Sequence, residues 1–109
     1  MKLARQYFLE KASPEPQRVN FISRNSSYHG ITFGALSVGG HVYRRKKFEP
    51  MLLDSVSRVS PCFAHRDKRS EETDEMYVGR LAQELRDEFE RRGPGSVIAF
   101  VAEPIVGAV

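Results

Sequence analysis

The stretch DEMYVGRLAQELRDEFERRGPGSVIAFV, residues 74–101, runs from a charged amphipathic segment through one Gly-Pro into an uninterrupted apolar run, and few folds accommodate that junction. Val78, Leu81, Ala82, Leu85 and Phe89 recur at three- and four-residue spacing, which predicts a helix over 74–92 with one apolar stripe. Asp87 with Arg91 and Glu88 with Arg92 are four apart, a spacing worth about 0.2–0.5 kcal/mol per pair on a helix surface. Arg91 and Arg92 suit the negative helix end, Gly93 the C′ position and Pro94 the stop. Val97 to Val101 is too short for a second helix. A continuous apolar run of that length reads as a strand covered on both faces, the habit of parallel sheets.

Upstream, Leu3, Ala4, Tyr7, Phe8 and Ala12 predict an amphipathic helix over 2–12, stopped by Pro14 and Pro16. It starts in helical register with no capping residue before it, as though entered partway along. RVNFIS, residues 18–23, reads as a strand. ITFGALSV, residues 31–38, has β-branched residues that suit a strand and small residues that suit a tightly packed helix; the helix is preferred, with Gly39-Gly40 ending it. Residues 41–61 are irregular, with a basic stretch and a short strand at 56–59, and HRDKRSEETD, residues 65–74, is expected to be a solvated loop. The order strand, helix, strand, long helix, strand is α/β, with mainly parallel strands and flanking helices.

The chain has 109 residues, room for one domain at most, and its 40% hydrophobic and 28% charged content is that of a packed globular chain, not a disordered one. The formal charge of +3 is mild and comes from scattered arginines plus Arg44-Arg45-Lys46-Lys47, a cluster without the interleaved aromatics that single-stranded nucleic acid wants. No nucleic-acid partner is expected. The single cysteine, Cys62, makes neither an internal disulfide nor a thiolate zinc cage, so no metal is expected and a reducing, cytoplasmic setting follows. The start of the chain has no sustained apolar core of a secretory signal, which makes the sequon Asn25-Ser26-Ser27 accidental. SVIAFVAEPIVGAV is too short for a membrane span and carries Glu103 and Pro104.

Ligands of open parallel sheets bind beyond the carboxyl ends of the strands. Two polar stretches leave apolar runs in this way: Asn25 to Gly30 after VNFIS, and Glu103-Pro104 after VIAFV. Parallel strands would bring both to one edge, so that Tyr28, His29 and Glu103 line one cleft. Taken singly, each has a bland reading: Tyr28 as a turn or core aromatic, His29 as a hydrogen-bonded structural histidine, Glu103 as a solvated carboxylate. A carboxylate between two apolar stretches needs a cationic partner once half-buried. Other patterns fail. Gly34, Ser37 and Gly39 have the wrong spacing for a nucleophile elbow, there is no phosphate-binding glycine fingerprint, and Cys62 with His65 lacks an orienting third group.

Tyr28-His29-Gly30 before a small-residue helix, and Glu103-Pro104-Ile105 with Gly107 after an apolar strand, together resemble the class III aminotransferases, pyridoxal-phosphate (PLP) enzymes of fold type I. KLARQYF resembles the helix that follows the phosphate-binding Gly-Ser turn of that family, so the resemblance covers essentially the whole chain. It implies that residues 1–109 are a single segment of the cofactor-binding large domain, cut at both ends. It also implies that Tyr28 stacks on the pyridine ring, that His29 and Gly30 shape that loop, and that Glu103 lies near cofactor or substrate, paired with an arginine from elsewhere. The cofactor would be PLP, the partners an amino donor and a keto acid or aldehyde acceptor, and the full-length protein a homodimer. The family's Schiff-base lysine has no counterpart among Lys2, Lys11, Lys46, Lys47 and Lys68, so no catalytic residue is assigned and the chain alone should be inactive. The other reading is a non-catalytic α/β module that holds an anionic partner on the basic loop at 41–48.

Overall fold

A computed structural model describes residues 1–108. Its organising element is β1 (Asn20–Arg24), hydrogen-bonded on one side to β2 (Val56–Val59) and on the other to β3 (Val97–Phe100), both parallel to it. The strand expected at 18–23 therefore sits slightly later and carries Arg24 at its carboxyl end. Phe21 pairs with Val56 and with Ala99, and a register shift between Asn20 and Phe21 leaves Ile98 as an extra residue on β3. That bulge turns Ile98 and Ala99 toward the same side of the sheet.

Alternation along the strands divides the apolar residues between two faces. Phe21, Val38, Val56 and Ile98 form one cluster, closed by Ala4 and Phe8 of α1 (Lys2–Glu10). Ile22, Val59 and Val97 form the other, covered by Leu85 and Phe89 of α5 (Asp74–Arg92). Helices on both faces of a parallel sheet are the α/β arrangement the sequence predicts.

Between β1 and β2 lie α2 (Phe33–Val38), the single turn α3 (Val42–Arg45) and a 3-10 turn at Glu49–Met51. The ambiguous segment is thus helical, capped by Thr32, whose hydroxyl accepts the Ala35 N–H at 3.4 Å. Gly39 and Gly40 end it for want of space, not by a left-handed turn: φ at Gly39 is −58°, while a Cβ on Gly40 would run into the Arg24 carbonyl and lie 2.8 Å from the Ser26 nitrogen.

Three expectations need correction. The first helix stops at Glu10, two residues early, and only Ala4 and Phe8 of its stripe reach the core; Leu3 and Tyr7 are 81% and 64% exposed. The polar segment 65–74 is tied down rather than simply solvated. It begins in the turn α4 (Ala64–Asp67), Lys68 bonds Asp74 at 2.7 Å, and Arg80 grips both oxygens of Glu72, holding that carboxyl down to about 2. On α5 the charged pairs differ as well: Arg91 reaches back three residues to Glu88, and Gln83 takes Asp87. Its one buried residue is Tyr77, outside the expected stripe, while Val78 is 57% exposed. The Tyr77 hydroxyl accepts the Phe63 N–H at 3.0 Å and so fixes the chain leaving β2. Gly93 ends α5 at φ +87° as expected.

Two glycines give opposite expectations. Gly40→Ala should destabilise by about 1–3 kcal/mol, because the Arg24 and Ser26 backbone must move. Gly79→Ala, in a helix with nothing within 4 Å of the added methyl, should stabilise by about 0.5–1 kcal/mol. Denaturation midpoints of the two variants check both signs.

Candidate functional site

Because β1 and β3 run parallel, the loops that follow them leave at the same edge of the sheet. There the Tyr28 backbone N–H donates to Glu103 Oε1 at 3.1 Å, joining residues 75 apart in sequence. Arg24, the last residue of β1, points at the same loop: its Nη1 lies 3.5 Å from the Glu103 carbonyl oxygen and its guanidinium sits 5.6 Å from the centre of the Phe100 ring. Glu103 is half-buried, as the sequence suggests, but its carboxylate is answered by an amide, not by a cationic side chain. The arginine expected for it is absent among the described residues.

The loop that carries Tyr28 is built tightly. Ser26 adopts φ +61°, and the Ser27 hydroxyl, buried, donates to the Arg24 carbonyl at 2.7 Å. Gly30 sits at φ +120°, and a Cβ there would lie 2.9 Å from Cβ of Ala35, so this position needs glycine on both grounds. His29 is half-buried, with its Nε2 shielded from solvent and without a hydrogen-bond partner among the described residues. Tyr28 is half-buried too, and the Arg44 guanidinium lies over its ring, 4.7 Å from the centroid. A ring face that takes one planar cationic group presents the surface on which another electron-poor planar group stacks.

A cleft of about 470 Å³ opens at this edge, lined by the ends of all three strands: Arg24 to Ser27, Pro61 to Phe63 with Arg66 and Asp67, and Glu103 with Val106. Glu103 thus belongs to the cleft, whereas Tyr28, His29 and Gly30 are not in its wall. The chain turns at Asn25-Ser26 before it reaches them, so of the residues expected to share one cleft only Glu103 lies in this one. Cys62 is exposed, and no lysine lines the cleft. Of the basic run, Arg45 is committed to the backbone of α2, whereas Arg44, lying over Tyr28, stays exposed together with Lys46 and Lys47. No cluster of three or more metal-ligating side chains occurs among the described residues.

A family model described as aminotransferase class III matches residues 1–109. The chain belongs to the class III aminotransferase family. An aminotransferase of Gibberella zeae is 56% identical over 109 residues, covering 99% of this chain and 21% of the relative. An uncharacterized aminotransferase of Schizosaccharomyces pombe is 48% identical over 108 residues, covering 99% of this chain and 23% of its own length. Among solved structures, an (S)-enantioselective omega-transaminase of Thermomicrobium roseum superposes with a TM-score of 0.88 at 37% identity, over 98% of this chain and 23% of that one. An amine transaminase from an uncultivated Pseudomonas species, solved with PLP bound, gives 0.87 at 28% identity, over 97% of this chain and 23% of that one. The chain therefore spans between a fifth and a quarter of the length of these relatives, and its fold is that of the matching part of a transaminase.

The Tyr28–Glu103 contact can be tested by removing the acceptor or only its charge. Glu103→Ala leaves a part-buried N–H without a partner and should cost about 1–3 kcal/mol, whereas Glu103→Gln keeps an acceptor and should stay within about 0.5 kcal/mol of the parent. Chemical denaturation of the two variants separates them.

Proposed function

We propose that this chain is one segment of the cofactor-binding large domain of a PLP-dependent class III aminotransferase, which moves an amino group between an amino acid or amine and a keto acid or aldehyde. The observation that carries the reading is the bond between the Tyr28 N–H and Glu103 Oε1, which brings the two motifs of the family resemblance into contact at the carboxyl edge of the sheet.

The residues present fit one wall of such a site. Tyr28 offers a ring face to a pyridine ring, in the position Arg44 now covers. Gly30 lets the backbone pass where a side chain would clash, and the shielded Nε2 of His29 is a polar atom still lacking a partner. Bound PLP supplies the electron sink for the carbanion chemistry of amino-group transfer. Tyr28 would orient its ring by stacking, and Glu103, fixed by the Tyr28 amide, would set a negative charge beside the place where the substrate's polar group enters. The phosphate cradle and the lysine that carries the cofactor are not supplied by these residues.

A homodimer and a cytoplasmic setting are part of the same proposal. The second rests on a single, exposed cysteine without a disulfide partner. A relative from Oryza sativa subsp. indica, 31% identical over 102 residues, is described as probable gamma-aminobutyrate transaminase 3, mitochondrial, so fractionation of the full-length protein decides between the compartments.

The direct test is an absorbance titration of the full-length protein carrying this segment with PLP, followed by a screen of amino donors. Tyr28→Ala should weaken PLP binding by roughly two- to twelvefold, the loss of one stacking contact of about 0.5–1.5 kcal/mol. Unchanged affinity in that variant would remove Tyr28 from the site. The 109-residue chain by itself should transfer no amino group from any donor to a keto acid; turnover by it would refute the proposal that catalysis needs a lysine from outside these residues.

A further inference from the structure

A six-residue helix ends with carbonyls that no turn of its own can satisfy. In α2 they are taken from outside. The Ser23 hydroxyl donates to Val38 O at 2.6 Å. The two N–H groups of Arg45 Nη1 are shared among three carbonyls, of Leu36 at 2.6 Å, Ser37 at 3.1 Å and Gly39 at 2.9 Å. Arg58, reaching across from β2, donates Nε to Gly39 O at 3.1 Å and Nη2 to Ser37 O. The next residue is stitched to the loop that carries Tyr28: the Gly40 N–H donates to the Ser27 carbonyl at 2.9 Å and to its hydroxyl at 3.2 Å, and the Gly40 carbonyl accepts the Ser26 N–H at 3.1 Å. Tyr28 follows that stitch directly, and its own N–H is held by Glu103 Oε1 at 3.1 Å.

We propose that Arg45 and Arg58 are positioning residues for Tyr28: by clamping the carboxyl end of α2 they fix, through Gly40 and Ser27, the plane in which the Tyr28 ring meets the cofactor. The inference rests on the reading of Tyr28 as the stacking residue. Two neighbouring guanidiniums are an expensive way to finish one short helix. Burial, and then the charge of Arg45, pull Arg58 down to about 10; a single arginine would be spared the second of these and an ordered water both. What the pair adds is rigidity: Arg58 spans Ser37 and Gly39 with two nitrogens of its fork from β2, while Arg45 brings a single Nη1 to the same two carbonyls from α3, so the helix end is held from more than one direction. Lysine has no planar fork with which to span two carbonyls as Arg58 does.

The test is a double-mutant cycle in the full-length protein carrying this segment, reading the PLP dissociation constant by absorbance and the circular dichroism of bound PLP. Arg58→Met should weaken PLP binding about fivefold when Tyr28 is present and less than twofold in a Tyr28→Ala background, because the clamp acts through that ring. Arg58→Lys, a milder change that keeps the charge and the volume, should show the same dependence on Tyr28 and should not restore the dichroism of the parent. Equal losses with and without Tyr28, or no loss at all, would overturn the positioning role even if melting temperatures fall. If Tyr28→Ala alone leaves PLP binding unchanged, it is the stacking reading that fails, and the two failures are told apart by that single variant.

Discussion

The pairing of β1 on both sides by parallel neighbours is the constraint on which the rest of this structure depends. Parallel ladders send successive connections back across the sheet, so the residues that follow β1, β2 and β3 all emerge at one edge. The start of the sheet is fixed from the opposite end by arginines that bind backbone. Arg18 donates to the Val97 carbonyl at 2.6 Å while its guanidinium lies 4.4 Å from the centre of the Phe8 ring, and Arg5 donates to the Arg18 carbonyl at 2.6 Å. These contacts tie α1 to the first residues of β1 and β3. With both ends of the central strand held, Glu103 arrives within hydrogen-bond reach of Tyr28.

This use of arginine explains a property that composition alone leaves open. An excess of three positive charges and a basic run at 44–47 suggest a surface for anions. In the fold, Arg5, Arg18, Arg45 and Arg58 each spend their donors on main-chain carbonyls, and Arg80 spends its own largely on Glu72. Carbonyls at helix ends and strand starts carry partial negative charge and lack partners within their own element, so a guanidinium with five donors serves them better than a carboxylate could. Much of the positive charge therefore belongs to the internal hydrogen-bond inventory.

What was legible in the sequence follows from how local each signal is. The helix at 74–92 is written in apolar spacing and a Gly-Pro stop, and its limits were readable to the residue. The strand at 97–100 was readable as a short apolar run, and the one at 56–59, VSRV, as a short strand within an irregular stretch. The motif residues Tyr28 and Glu103 could be flagged because polar groups leave buried strands at both places, and the parallel sheet then joins them. The partner of Glu103 was not readable, since an amide N–H has no letter in a sequence. Nor were Arg45 and Arg58, whose targets are carbonyls on a third element, or Tyr77, whose hydroxyl holds the loop after β2 from outside the apolar stripe. The stripe of α1 misled for a related reason: spacing identifies a face, and only the neighbours decide how much of it is covered.

The Tyr28–Glu103 contact also separates two roles that one residue combines. Holding the loop requires only an acceptor, and Oε1 serves that purpose with an ordinary 3.1 Å bond. A neutral amide oxygen would do it nearly as well, so the fold alone gives no reason for a full negative charge in a half-buried position beside apolar residues. The other oxygen, Oε2, makes no hydrogen bond among the described residues, and Arg24 is turned to the backbone carbonyl of Glu103, not to its carboxylate. The charge is therefore surplus to the architecture, carried on a side chain whose position the architecture fixes. A fixed anion at the carboxyl edge of a parallel sheet can discriminate between incoming groups by sign without moving, because its cost of ordering has already been met in the fold.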